Sequence, residues 1–240
     1  MKIKKVLGCK INIGNFKETF NIIKKLFEEE TASQIVTINP EMINLAQKDS
    51  DFAKILDEAE CVIPDGIGVT LALKLQGIAQ ERIPGVEFSE KCIEYCAKND
   101  FDVALIGSTE EVIQKAKENL IKKYPKLNIT YTHNGFFEND EEILQSLKTL
   151  QPRLLLVGMG SPMQEKLIYY YKKDLKSIIM IGVGGSLDIY SGIIKRAPVI
   201  FQKMGLEWLY RLSKEPKRFT RIFPAIPLFL LQVITNKKER

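Results

Sequence analysis

Three short runs, VALIG at 103–107, LLLVG at 154–158 and IIMIGV at 178–183, are apolar at every position. A strand wetted on one face alternates apolar with polar residues, whereas one covered on both faces does not. Such strands need helices above and below them, and the intervening sequence supplies helical patterns. The spacing predicts strands at 34–38, 61–64, 102–106, 128–132, 153–157 and 178–182, with helices over 15–29, 40–48, 87–98, 109–123, 139–149 and 162–173. Two short strands around Gly8 precede them, and 78–86 reads as an irregular connection. The expected fold is α/β, a Rossmann-like, mainly parallel sheet flanked by helices. At 240 residues there is room for one such domain, placed at 1–195, and an appendage at 196–240.

The appendage differs in composition from the rest. From Lys195 onward there are eleven Lys or Arg against three Glu, so the first 194 residues carry a net charge of −3 although the whole chain is at +5. Within it, Ile222 to Ile234 is an apolar run of thirteen residues containing Pro224, Pro227 and Gln232. About twenty apolar residues are needed to cross a bilayer. A basic amphipathic helix lying on an anionic membrane surface fits this pattern, and so does a helix packed on the core or on a second copy of the chain in a homo-oligomer. No nucleic-acid motif accompanies the charge, so no nucleic-acid partner is expected. The four cysteines form no CxxC pair, and the start MKIKKVLGCKINIG has no signal-peptide core. Reduced thiols and a cytoplasmic location are expected.

In an open parallel sheet, ligands bind past the carboxyl ends of the strands. Thr37, Asn39 and Asp65 all fall there, after QIVTI and CVIP, so they should share a crevice. Asp65, followed by Gly66, is the best candidate for a general base toward a hydroxyl. Asn39 before Pro40 also has the form of a helix N-cap, as does Asp65 before Gly66. Glycine-bearing ends occur as GST at 107–109, GMGSP at 158–162 and GVGGS at 182–186, but neither GxGxxG nor GxxxxGK[ST] is complete. The amides of Gly184, Gly185 and Ser186 at a helix start could hold a diphosphate, or the segment could be only a tight turn. SPMQEK at 161–166 fits a capping box with Ser161 as N-cap and Gln164 at N3. Asp49-Ser50-Asp51 matches a metal-binding DxD, yet lies between helices, where carboxylates cap. His133 lacks a serine elbow to work with and reads as a loop residue.

Taken in order, LGCKIN, TINPEM, IPDGIGV, NGFF, GMGSPMQEK, GVGGSLDIYSG, KRAP and GLEWLYRL resemble the WecG/TagA/CpsF family of bacterial glycosyltransferases over nearly the whole chain. The likeness is greatest to its TagA-type members, and it implies inverting transfer of N-acetylmannosamine from UDP-ManNAc to undecaprenyl-diphosphate-linked GlcNAc, in building the wall teichoic acid linkage unit. By the same resemblance Asp65 would be the catalytic base, and Thr37, Asn39, Gly66, Arg82 and Gln164 would line the pocket. Gly184, Gly185 and Asp188 would bind UDP, Phe136 would flank the nucleoside, and Arg211, Arg218 and Arg221 would meet the lipid diphosphate. The family implies no metal cofactor, and a peripheral position on the inner face of the cell membrane. Pro84, Glu87 and Met163 depart from its usual pattern.

Overall fold

The computed structural model describes residues 2–203, 207, 209–210 and 219–235. Its centre is a six-stranded, wholly parallel sheet made of β3 (Ser33–Ile38), β4 (Cys61–Pro64), β5 (Val103–Gly107), β6 (Ile129–His133), β7 (Leu154–Gly158) and β8 (Ile179–Gly182). The strand order is β4-β3-β8-β7-β5-β6. The chain builds one edge, crosses to build the other, and returns to fill the middle. Every carboxyl end therefore opens on the same side.

The apolar runs divide their side chains between two faces, as period-two geometry requires. Ile35, Cys61, Ile63, Val103, Leu105, Leu154, Leu156, Ile179 and Ile181 enter one core with α1 (Phe16–Glu28), α5 (Gly85–Lys98), α6 (Glu110–Lys123) and α9 (Ser186–Tyr190). On the other face Ala104, Ile106, Leu155, Val157 and Met180 pack with α7 (Glu141–Leu150) and α8 (Met163–Tyr171). Beside them Val36, Ile38 and Val62 pack with α2 (Pro40–Ala46), α3 (Ser50–Glu58) and α4 (Ile67–Leu75).

The hairpin of β1 (Lys2–Val6) and β2 (Cys9–Ile13) forms a separate two-stranded sheet. It lies against β4, where Asn12 Oδ1 accepts from the Val62 amide at 2.7 Å. An otherwise open strand edge is thereby occupied.

Local signals place most helix starts. Asn15 and Glu18 make a reciprocal capping box on α1, Asn39 caps α2 with Pro40 at its first position, and Thr109 caps α6. Asp49 caps α3, with Oδ1 accepting from Phe52 N at 2.9 Å and Oδ2 3.3 Å from Lys166 Nζ. The DxD pattern is thus a helix start. The box expected at SPMQEK is not formed: α8 begins at Met163, Pro162 occupies the cap position, and Gln164 turns inward. His133 is the last residue of β6, ring-stacked near Tyr131 and edge-on to Phe137.

After Ala197 come α10 (Val199–Lys203) and α11 (Phe219–Thr235). Phe229 and Val233 of α11 are buried against α2 and α4, while Leu228, Leu231 and Ile234 remain exposed. Among the described residues, no helix is long and apolar enough to cross a membrane.

Candidate active site

Asp65 follows the last residue of β4, and its amide donates to the Ile38 carbonyl at 3.1 Å, tying the ends of β4 and β3 together. Beside it, α5 starts at Gly85. A Cβ at Gly85 would stand 3.2 Å from both Thr37 Oγ1 and Thr37 Cγ2 and 3.3 Å from Asp65 Oδ2, so both side chains pack closely on this backbone and a larger residue would press on them. Thr37 Oγ1 in turn donates to the Gly182 carbonyl at 3.3 Å. The ends of β4, β3 and β8 therefore converge as the apolar strands and their polar ends predict.

Arg82 completes this corner. Its Nε donates to the Asp65 carbonyl at 2.5 Å, and its Nη2 lies 3.3 Å from Asp65 Oδ1 and 2.6 Å from Glu207 Oε2. Asp65 keeps 30% of its side chain exposed, enough for a hydroxyl to reach it. Burial pushes its carboxyl above the usual range; the Arg82 charge and the Gly85 amide pull it down, and Glu207 pushes it up again. A carboxylate with raised affinity for protons, open on one side, is suited to accept one.

The second half of the crevice is made of backbone. Gln164, 5% exposed, accepts through Oε1 from the Gly184 amide at 2.9 Å and from the Gly160 amide at 3.2 Å. Its Nε2 donates to Glu165 Oε1 at 2.7 Å. Gln164 thus lies beneath the turns after β7 and β8 and sets their shape. Ser186 N donates to Val183 O at 3.0 Å. Of the three amides proposed from sequence to cradle a diphosphate, those of Gly184 and Ser186 are engaged internally, which leaves that of Gly185. Gly184 takes φ +49°, a conformation glycine adopts without penalty.

Asp188 on α9 reaches Ser108 at the end of β5, whose hydroxyl donates to Oδ1 at 3.2 Å. Ser108 N donates to Gly158 O at 3.1 Å and its carbonyl accepts from Gly135 N at 2.8 Å, so one residue joins the ends of β5, β7 and β6. Phe136, on the next loop, is 75% exposed and free to stack on a planar ring. Asn39 Oδ1 is committed to the Met42 amide at 3.0 Å, leaving its amide nitrogen for a ligand. Gly66 packs against it: a Cβ there would come 2.7 Å from Pro40 Cδ and 3.3 Å from Asn39 Cβ. Arg211 and Arg218 lie outside the described residues, and Arg221 is described only as backbone of α11.

Gly85, Ser108, Glu165, Arg196 and Glu207 escaped the sequence reading. Ser108 lies in a glycine motif weighed only for its glycines, and Arg196 and Glu207 lie in KRAP and GLEW, quoted without roles. Glu165 is 2% exposed, raised by burial against the hydrogen bond from Gln164, with Oε2 unpartnered. An open cleft of about 1060 Å³ beside α4 offers Glu18, Lys74 and Glu81 as its ionisable groups. There Glu18 and Glu81 accept from the Asn15 and Phe16 amides, whereas the Asp65 carboxylate bonds only side chain and backbone of its own corner and stays part-exposed.

A parallel α/β sheet with a part-exposed carboxylate and glycine-rich turns at the carboxyl ends of its strands is the arrangement in which α/β enzymes bind their ligands. The family model described as "Glycosyl transferase WecG/TagA/CpsF family" matches residues 4–240, and the chain belongs to that family. It is 32% identical over 237 residues to N-acetylglucosaminyldiphosphoundecaprenol N-acetyl-beta-D-mannosaminyltransferase of Staphylococcus aureus strain MW2, covering 98% of this chain and 93% of the relative. The proteins of the same name from strains COL and MRSA252 match at the same identity and coverage.

Proposed function

We propose that this chain is an inverting glycosyltransferase that moves N-acetylmannosamine from UDP-ManNAc to undecaprenyl-diphosphate-linked GlcNAc, forming the β-1,4 bond of the wall teichoic acid linkage unit. One observation carries the reading: Asp65 and Thr37 both lie against Gly85, and Thr37 bonds the Gly182 carbonyl at the end of β8, in a chain of this family. The name of the relatives gives the acceptor and the transferred sugar, and the UDP carrier follows from the family resemblance. Asp65 takes the proton of the acceptor C4 hydroxyl, the freed oxygen attacks the anomeric carbon from the face opposite the diphosphate, and the bond to UDP breaks with its electron pair leaving on the phosphate oxygen. The Gly185 amide and the arginines Arg211, Arg218 and Arg221 of the appendage are assigned to the diphosphates, and Phe136 and Asp188 to the nucleoside.

No metal enters this scheme, because cationic side chains and an amide meet the developing charge; turnover is expected to persist in excess EDTA. The exposed Leu228, Leu231 and Ile234 on α11, with basic residues before and after that helix in the sequence, favour a peripheral seat on the inner face of the cell membrane. Covering of that strip by a second copy of the chain is the competing arrangement. Flotation with anionic vesicles, set against the oligomeric state in their absence, separates the two.

The deciding experiment incubates the full chain with a short-chain lipid-diphosphate GlcNAc and a panel of UDP-sugars. UDP release and a product heavier by one N-acetylhexosamine are expected with UDP-ManNAc. No product from any UDP-hexosamine overturns the proposal.

A further inference from the structure

Helices α1, α2, α3 and α6 each begin on a side chain that caps them, whereas α5 begins on Pro84 and has no side-chain cap. The Gly85 amide at its head is turned on the Asp65 carboxylate instead. Amides in the first turn of a helix carry partial positive charge, so the placing of this turn helps to set how readily Asp65 binds a proton. What fastens it comes from across the crevice, from the helix after the Gly184–Gly185 turn. Tyr190, the last residue of α9 and 8% exposed, has its hydroxyl 2.9 Å from Val86 O and 2.6 Å from Ser89 Oγ. Ser89, wholly buried, has that same oxygen 2.7 Å from Gly85 O. Two hydroxyls have two protons for these three contacts. If Ser89 donates to Tyr190, Tyr190 donates to Val86 O; if Tyr190 donates to Ser89, Ser89 donates to Gly85 O. Either way the pair closes on a carbonyl in the first turn of α5.

We infer that Tyr190 is a positioning residue for the reaction: with Ser89 as its partner, its buried hydroxyl fixes the first turn of α5 so that the Gly85 amide stays on the Asp65 carboxylate. The inference rests on the reading of Asp65 as the base. The groups facing Asp65 are Arg82, the Gly85 amide of α5, Thr37 of β3 and Glu207, with Arg196 and Glu87 behind. Around Tyr190 stand Ser89, Glu90 and Cys92 of α5 and Tyr124 at the end of α6, and Glu90 is paired with Lys123. Burial drives the Tyr190 phenol well up, so it stays protonated while Asp65 titrates. Burial raises the Asp65 carboxyl most, Arg82 and then the Gly85 amide lower it, and Glu207 raises it. Weakening the Gly85 contact therefore raises Asp65 further.

The test is the pH dependence of kcat in the full chain. Tyr190→Phe keeps the ring in the core and removes only the hydroxyl. The acidic limb, on which the base must lose its proton, is expected to move to higher pH by roughly half a pH unit to one, as weakening one hydrogen bond to a carboxylate would produce. The KM for the UDP-sugar is expected to stay within about two-fold. Ser89→Ala breaks the same pair from the α5 side, and its limb is expected to move in the same direction. A hydroxyl that merely held α9 in place would raise that KM and leave the limb where it was; this result overturns the inference, and so does a limb displaced to lower pH. Should Tyr190→Phe fail to fold, a limb in Ser89→Ala that is unmoved or lowered overturns it as well. A wild-type rate in Asp65→Asn overturns instead the assignment of the base, whatever the other two variants do.

Discussion

Where β3 and β4 end, the crevice is built from charged and polar side chains that touch one another; where β7 and β8 end, it is built from glycine backbone held by one buried amide. At the first end, Asp65, Arg82 and Thr37 lie within hydrogen-bonding range of a neighbour and keep partial exposure. At the second, Gln164 spends its oxygen on the Gly160 and Gly184 amides and its nitrogen on Glu165, and is buried. The two halves therefore divide the labour. A side-chain site adjusts protonation at the reacting atom, whereas a backbone site offers a fixed shape to a ligand and depends on whatever clamps it. Changes at the first should be felt in turnover, and changes at the second in binding and stability.

Substitutions can break this division. The largest effect is expected for Asp65→Asn, which keeps the shape and removes the base: kcat falls by about 10²–10⁴ while UDP affinity by calorimetry stays level. Loss of UDP affinity in that variant would join the two halves into one. Next is Gln164→Ala, which strips the acceptor from two amides beneath the turns. A stability loss of about 1–3 kcal/mol in denaturant melts is expected, with donor KM rising more than kcat falls. Gly85→Ala is smaller: its Cβ meets Thr37 and Asp65 at 3.2–3.3 Å, so kcat drops several-fold with little change in melting temperature. Equal losses in stability and rate would show that this glycine serves the fold and not the pair.

The smallest effect is expected for Glu165→Gln. Burial raises the Glu165 carboxyl, so the folded chain holds a proton that the unfolded chain releases. Stability from this group is greatest at acid pH and declines as pH climbs from the ordinary carboxylate range through the raised value. The glutamine variant should show a flatter profile of melting temperature against pH across that window. An unchanged slope would remove Glu165 from the account of the clamp.

Much of the sheet and one half of the site were legible in advance because their signals are local. Unbroken apolar runs such as LLLVG mark strands covered on both faces, and a polar residue just past such a run marks the ligand edge, which is how Thr37 and Asp65 were paired. The clamp was not legible. SPMQ satisfies the composition of a capping box, and only tertiary packing decides that Gln164 turns under the neighbouring turn instead. Nor could spacing show that Glu207 meets Arg82 across 125 positions, or that Arg196 joins them. Long-range charge pairing leaves no period in a sequence. Gly85 was passed over because the expected connection ran to 86, whereas α5 begins at Gly85, packed against Thr37 and Asp65.

Asp65 directly follows β4, an edge strand of the main sheet, and Asn12 of the hairpin occupies an amide on that border. The hairpin thus acts as a splint: it stiffens the strand that leads into Asp65 and denies a foreign strand the seam along which sheets of two molecules could fuse. Loss of the first dozen residues would then injure chemistry far from any ligand and invite clumping in the same stroke.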